Sequence, residues 1–167
     1  MARNRYLKGF TLLELLVALA LMGILLGVGF PNFLRMIEIN RVVSATNEFK
    51  TAMNYARSEA VRRNQSVTLT PLPEGWSAGW QVASGSQALR YWPQSTRGLE
   101  IQVLDAAKKP ISGGLAFNSL GRLQRSRPET VWISIWLGEQ ADGKGRCIRL
   151  EPSGLSRVQD TPRACTT

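Results

Sequence analysis

The chain contains no histidine. That absence removes the commonest general base and the commonest transition-metal ligand, and it excludes Ser-His-Asp and Cys-His catalytic arrangements. Cysteine is scarce as well. Only Cys147 and Cys165 occur, both near the C-terminal end, and two thiols do not make a structural zinc site without other ligands. Acidic side chains are outnumbered, 12 Asp and Glu against 21 Lys and Arg, for a formal net charge of +9. That balance permits attraction to nucleic acid or anionic lipid and specifies neither. Serines and carboxylates are present, but nothing supplies the base or metal that hydrolysis needs. These absences point away from an enzyme and imply no cofactor. No internal repeat or low-complexity linker stands out, and 167 residues suit one domain plus an extra segment.

What the sequence does have is concentrated at its start. Residues 1–9, Met-Ala-Arg-Asn-Arg-Tyr-Leu-Lys-Gly, are polar and basic. From Phe10 to Leu34 the one charged residue is Glu14, and Leu15 to Leu34 is an uncharged run of twenty. At about 1.5 Å per helical residue that run spans ~30 Å, the thickness of a bilayer's hydrocarbon core. Arg3, Arg5 and Lys8 would keep the leading end in the cytoplasm, with the remainder facing outward. The run is too long for the core of an ordinary secretory signal, and no clear A-x-A site ends it. A plain membrane anchor would share these features. Two details do not fit that anchor. Glu14 puts a carboxylate into an apolar helix, at a cost on the order of 2.5–3.5 kcal/mol on insertion scales, so something should neutralise it. Pro31 lies inside a helical stretch, where proline removes a backbone hydrogen bond and bends the helix.

Lys8-Gly9-Phe10-Thr11-Leu12-Leu13-Glu14-Leu15-Leu16 resembles the class III signal of type IV pilins and type II secretion pseudopilins. The resemblance implies that prepilin peptidase cuts after Gly9, that Phe10 becomes the N-methylated first residue, and that Glu14 is needed for subunit assembly. Pro31 falls where pilins commonly carry a proline. Cleavage would remove Arg3, Arg5 and Lys8 and leave 18 basic against 12 acidic side chains, about +6. A new amine on Phe10 would pair with Glu14 of a neighbouring subunit, offsetting the buried carboxylate and setting register. Leucines 12, 13, 15, 16, 19, 21, 25 and 26, with Ile24, would hold the subunit in the membrane first and build the filament core later. Gly23, Gly27 and Gly29 would allow close helix packing, or local melting near Pro31.

Past Pro31 the helical pattern continues. Leu34, Ile37, Ala45, Phe49, Ala52, Ala56 and Ala60 recur at three- and four-residue steps with one longer gap, and Asn64 is a natural stop. This predicts an apolar stripe packed on a sheet. From Ser66 the texture changes to short β-branched and aromatic runs, at 67–70, 79–82, 89–92, 99–104, 114–117, 131–137 and 146–150, punctuated by Gly, Pro, Ser and Asn. In Val131–Leu137, Val131, Ile133, Ile135 and Leu137 fall on one face, and Trp132, Ser134 and Trp136 on the other. The expected fold is α+β, one long helix packed on an antiparallel β domain. Its divisions are a leader at 1–9, an apolar helical segment at 10–34, an amphipathic second half at 35–64 and a β domain at 65–167.

Four downstream segments narrow the resemblance to the GspH/FimT/FimU group. They are Tyr55–Arg63 followed by Val67-Thr68-Leu69, Gly75-Trp76-Ser77-Ala78-Gly79-Trp80-Gln81-Val82, Phe117-Asn118-Ser119-Leu120-Gly121-Arg122, and the closing hairpin Arg146–Gly154. The glycines read as turn residues and the tryptophans as core or strand packing. In an outward-facing chain an even cysteine count implies a disulfide, Cys147–Cys165. It would enclose 17 intervening residues and stabilise by roughly 3 kcal/mol on the chain-entropy model.

The implied function is that of a minor type IV pilin, a structural subunit that helps start or cap the filament. A pseudopilin of type II secretion would share leader and fold. The implied partners are prepilin peptidase, other minor and major pilins, the inner-membrane assembly platform and, before assembly, inner-membrane lipid. The implied location is a single-pass inner-membrane protein with a periplasmic C-terminal domain, then the pilus at the cell surface. A third reading is DNA uptake. Arg146, Arg149, Arg157 and Arg163 crowd the C-terminal region and would contact phosphates in a salt-dependent way. DNA-binding FimT proteins carry G-R-x-R in the final hairpin; here the stretch is Gly154-Leu155-Ser156-Arg157, which lacks the first arginine. Glu151 and Asp160 dilute the patch, and a solvated charged face is the plainer reading. Arg122, Arg125 and Arg127 form a second basic run with the same alternatives.

Overall fold

The computed structural model describes residues 10–124, 129–138, 145–159 and 165, and the side chains of 28–32 lie outside this description. Two compact units divide the chain, Met1–Ile37 and Glu38–Thr167, and each is treated by itself. Helix α1 runs Leu12–Arg63. Nine strands follow among the described residues: β1 Val67–Leu72, β2 Gly75–Ser84, β3 Gln87–Pro93, β4 Leu99–Leu104, β5 Leu115–Phe117, β6 Leu123–Gln124, β7 Val131–Leu137, β8 Gly145–Leu150 and β9 Ser156–Gln159. They form two antiparallel sheets, one in the order β3-β2-β1-β5-β6 and one in the order β4-β7-β8-β9. The expected α+β architecture is therefore present, with the β domain split into two sheets. The two-residue β6 and the short β9 are too brief to carry an alternation that a sequence reading can detect.

In the second unit the helix buries a narrow stripe made of Val42, Ala45, Thr46, Phe49, Ala52, Met53, Ala56 and Ala60. The spacing keeps one face inward over five turns. Four of these positions are alanine, which lets strands lie close to the helix backbone, and Phe49 fills the gap that is left. Its ring centroid is 4.8 Å from that of Trp80 and 5.5 Å from that of Trp76, both tilted. Such pairs contribute about 0.5–1.5 kcal/mol beyond simple area burial. The buried Thr46 hydroxyl donates to the Val42 carbonyl at 2.7 Å, so it costs little inside. Leu34 and Ile37 do not continue this stripe. Leu34 is exposed and Ile37 half-exposed, because periodicity alone does not mark where the β domain begins to cover the helix. Val42 and Met53 belong to the stripe and lie on the same three- and four-residue steps.

The helix ends through its backbone. Asn64 takes a left-handed conformation, φ 52°. The Asn64 N–H donates to the Val61 carbonyl and the Gln65 N–H to the Ala60 carbonyl, both at 3.2 Å. This is the Schellman pattern, and asparagine tolerates the conformation it requires. Just before it, Glu59 is buried and held by both arginines of the last turn. Arg62 Nη2 is 2.6 Å and Arg63 Nε 2.7 Å from its Oε2.

Both sheets share one core with the helix stripe. Val67, Leu69, Trp80, Val82, Leu115 and Phe117 come from the first sheet, and Ile101, Val131, Ile133, Ile135, Ile148 and Leu150 from the second. Two contacts join the sheets. The Ile101 N–H donates to Ser77 Oγ at 3.0 Å, and Ser77 Oγ donates to a Glu100 carboxylate oxygen at 3.0 Å. Elsewhere the Leu123 N–H donates to the Pro152 carbonyl at 3.0 Å. There, two turns meet, Asn118–Gly121 and Glu151–Gly154, each closed by a backbone bond of 2.8 Å. Both end on a left-handed glycine, Gly121 at φ 70° and Gly154 at φ 81°. A Cβ on Gly154 would collide with the Gly121 carbonyl oxygen, and one on Gly121 would lie 3.0 Å from Arg57 Nε. The Phe117–Arg122 segment and the end of the Arg146–Gly154 hairpin are thus the two halves of one turn-on-turn contact, seated on Arg57 of the helix.

Cys147 and Cys165 are disulfide-bonded and both buried, packed with Leu104 and Trp132 on the face of β7 and β8 away from the main core. Replacing both by serine should lower the unfolding free energy of the oxidised chain by roughly 3 kcal/mol. Urea unfolding with and without reductant checks this, and the serine variant should be indifferent to reductant. Glu59 gives a pH signature. Hydrogen bonds first from Arg62 and then from Arg63 lower its pKa from 4.5 to about 2. The folded pKa lies below the unfolded one, so the stabilisation is complete above pH 4.5 and is lost as pH falls towards about 2. Arg62 reaches well into solvent, 65% exposed, so screening keeps the contribution small, about 1 kcal/mol or less. Glu59→Gln should unfold more readily than wild type at pH 7, with the gap closing through that window. A gap independent of pH would mean that the carboxylate charge contributes nothing.

Candidate functional site

Two regions carry the residues singled out by the sequence. The first is the leading end of the helix. Gly9 lies outside the described residues. Phe10 is 80% exposed, and Leu12, Leu13, Leu15, Leu16, Val17, Leu19, Leu21 and Met22 are all exposed, as are Ile24, Leu25 and Leu26. Thr11 caps the helix. The Glu14 N–H donates to Thr11 Oγ1 at 3.2 Å, and the Leu15 N–H donates to the Thr11 carbonyl at 3.2 Å. Thr11-Leu12-Leu13-Glu14 has the S/T-x-x-E spacing of a capping box. That signal was present in the sequence beside the processing motif. Glu14 stands in the first helical turn, where unpaired N–H groups and the helix dipole favour a negative charge. The structure thus brings Phe10 and Glu14 to one helix end, about one turn apart. The helix continues through position 31, while the Pro31 side chain lies outside the described residues. Among the described residues no helix is long and apolar enough to cross a membrane. The run Leu15–Leu34 includes 28–32, whose side chains are not described.

The second region is the outer face of the β4-β7-β8-β9 sheet. Cross-strand register sets Trp132 opposite both Leu104 and Arg149, and Arg149 opposite Arg157. Arg149 and Arg157 therefore share a face, two like charges on one rung, an arrangement that destabilises unless an anion or a ring disperses the charge. Arg149 Cζ lies 5.8 Å from the centre of the Trp132 ring. From β4's far end Lys108 folds back over the same ring, its Nζ 3.5 Å from the centroid, and donates to the Cys165 carbonyl at 2.8 Å. Burial lowers the pKa of this lysine. Arg146 does not join the group. Its parity matches Ile148 and Leu150, both in the core, and it pairs with Ile135, so it leaves the sheet on the opposite side from Arg149. One residue step in a strand changes face, and closeness in sequence hid that separation. Arg163, like Arg125 and Arg127, lies outside the described residues. Lys108 and Trp132 were not legible as members of this face, because they are 24 residues apart and meet through the fold alone.

Among the described residues no three carboxylate or thiol groups gather as a metal site. The leading end offers apolar surface with one carboxylate, and the outer sheet face offers cations on an indole.

The chain matches the family described as "Type II transport protein GspH" over residues 45–154 and the prokaryotic N-terminal methylation motif over residues 4–30. It is similar to two crystal structures of the type IV minor pilin FimU of Pseudomonas aeruginosa. One has 24% identity, TM-score 0.60, and covers 77% of this chain and 95% of that one; the other has 23% identity and TM-score 0.56, covering 74% and 97%. It is 40% identical over 70 residues to the pilin-like protein PilA1 of Thermus thermophilus, and 39% identical over 49 residues to the type IV major fimbrial protein FimA of Dichelobacter nodosus. These last two matches span less than half of the relatives' lengths, 42% and 31%. With the GspH match covering most of the chain and the methylation motif at its start, the chain belongs to the GspH family, within the GspH/FimT/FimU group of type IV pilin-like proteins.

Proposed function

We propose that the chain is a minor type IV pilin, a structural subunit that helps initiate or cap a pilus after prepilin peptidase cuts behind Gly9. The observation that carries this reading is the leading end of α1, an exposed apolar helix whose one carboxylate, Glu14, sits in a first turn capped by Thr11. Cleavage and N-methylation leave a positive amine on Phe10, one helical turn from Glu14. In a packed filament that amine pairs with the Glu14 of a neighbouring subunit displaced along the axis. The pair removes both charges from the apolar packing of the stems, and an isolated member of it would be expensive there. Before assembly the same surface, residues 10–34, anchors the chain in the inner membrane with its basic flank inside and residues 65–167 in the periplasm. Pro31 lies at the end of this segment and marks where the stem can depart from regular helix. Its partners are prepilin peptidase, the inner-membrane platform and other pilins.

A pseudopilin role in type II secretion is the second reading, favoured by the family's description. DNA capture is a further reading of the same subunit, favoured by the Arg149–Arg157 rung beside Trp132.

Mass spectrometry of sheared surface pili should find a peptide that begins with N-methylated Phe10. Processed protein confined to the cell envelope would favour the pseudopilin, and an intact Met1 end would overturn both. Glu14→Ala should still be cleaved yet fail to enter pili, and normal incorporation would sink the pairing argument. For DNA, wild-type binding should weaken as salt rises, and Arg149→Ala or Arg157→Ala should each reduce the slope of log affinity against log salt by about one. Absence of salt-dependent binding by wild type would rule that reading out.

A further inference from the structure

The outward side of α1's last two turns carries a groove of about 620 Å³ lined by Asn54, Arg57, Ser58, Val61 and Arg62. None of these five is acidic. Its margin is the turn-on-turn contact, since Gly121 lies against Arg57 and Val61, and Gly154 against Gly121. The residue next to each of these glycines is a large exposed aliphatic side chain, Leu120 at 74% and Leu155 at 48%, and Val61, which lines the groove, is 53% exposed. Isolated exposed leucines need no explanation, but exposed leucines flanking both glycines at the margin of a groove with an exposed valine call for one. Arg62 is paired with Glu59, which it shares with Arg63. Arg57 is half-buried and, among the described residues, has no carboxylate within ion-pair distance. A guanidinium partly withdrawn from water beside aliphatic side chains is where an added carboxylate gains most, because part of its desolvation has already taken place in the free protein.

We infer that this groove is a subunit-docking site that takes an acidic, aliphatic segment of another pilin-like subunit, its carboxylate on Arg57 and its apolar side chains on Val61, Leu120 and Leu155. The occupant is a different protein, because even after the leader is cut this chain carries about six more basic than acidic side chains and two copies repel as they approach a basic groove. The inference rests on the pilin reading above and adds to it the place on the β domain where the neighbour is recognised and the charge that neighbour carries.

A photoreactive amino acid at Leu120 or Leu155 of the full-length chain, expressed in its native cell and irradiated there, tests the site, with the same probe at exposed Glu74 as a control. The expected product is an adduct from the groove positions only, with a protein that has its own prepilin leader and an excess of acidic residues in its C-terminal domain. Arg57→Glu should lower adduct yield about tenfold, since like charges then meet, and Arg57→Lys should retain most of it. Arg57→Glu also disturbs the glycine turns, so Asn54→Glu is the decisive variant. It sets a carboxylate in the groove at an exposed position with no hydrogen bond to lose, and should give a similar drop with the membrane level of the chain unchanged. Adducts with lipid, with nucleic acid or with a second copy of this chain would overturn the proposal, as would yields indifferent to Asn54→Glu. If Phe10 is processed and the chain enters pili while these yields stay flat, the groove is wrong and the pilin reading stands. If Phe10 is never exposed, both fall together.

Discussion

Alanine at four positions of one helix face sets the geometry on which the rest of the β domain depends. Ala45, Ala52, Ala56 and Ala60 are fully buried or nearly so. A larger side chain at any of them would push a strand away from the helix axis, and interiors packed as densely as crystals have no slack to absorb it. The aromatic residue among them, Phe49, is matched by Trp76 and Trp80 of β2. The strands can therefore lie near enough for two separate sheets to share one apolar interior with the same helix. That arrangement in turn demands stitching where the sheets separate, which Ser77 supplies at one place and the Leu123–Pro152 bond at another. The Gly121–Gly154 contact is a consequence of the same closeness. Two turns meet above the helix with no room for a Cβ between them.

Much of this was legible in the sequence, for reasons that differ by element. The helix past Pro31 showed itself by apolar spacing, and its end by Asn64, because both depend on local backbone physics. The strand Leu99–Leu104 and the strand Val131–Leu137 showed themselves by alternation or apolar content over six or seven residues. The division into two sheets did not, since strand order is a property of contacts between segments far apart in the chain. Leu34 and Ile37 were expected in the core because a period of three and four residues says which face is apolar and nothing about what covers it. The arginines were misgrouped for a related reason. Arg146 and Arg149 are close in sequence, but an odd number of residues apart in a strand places them on opposite sides, whereas Arg157, eight residues further on, returns to pair directly with Arg149. Lys108 was invisible as a neighbour of Trp132 until the chain's path was known.

The distribution of charge follows a consistent logic. Glu59 is answered locally by Arg62 and Arg63, while Glu14 has only the helix end for company. The basic groups are answered less completely. Arg149 and Arg157 face each other with only an indole to disperse their charge, and Arg57 has no ion-pair partner among the described residues. A protein that only had to fold would gain by placing a glutamate near either. Basic charge without a nearby counter-charge lowers stability and raises the affinity of such a place for anions.

The two halves of α1 then differ in what completes them. The leading half exposes apolar surface that water does not tolerate in quantity, and lipid or other helices can cover it without any particular chemistry. Bulk apolar contact of that kind carries little information about which neighbour is present, because one leucine surface accepts another almost regardless of sequence. In the filament proposed above, discrimination among subunits would therefore fall to the β domain, where polar and charged groups make a wrong partner costly. The stem would then supply most of the association energy, and the proposed groove over Arg57 the selectivity that apolar stem contact lacks.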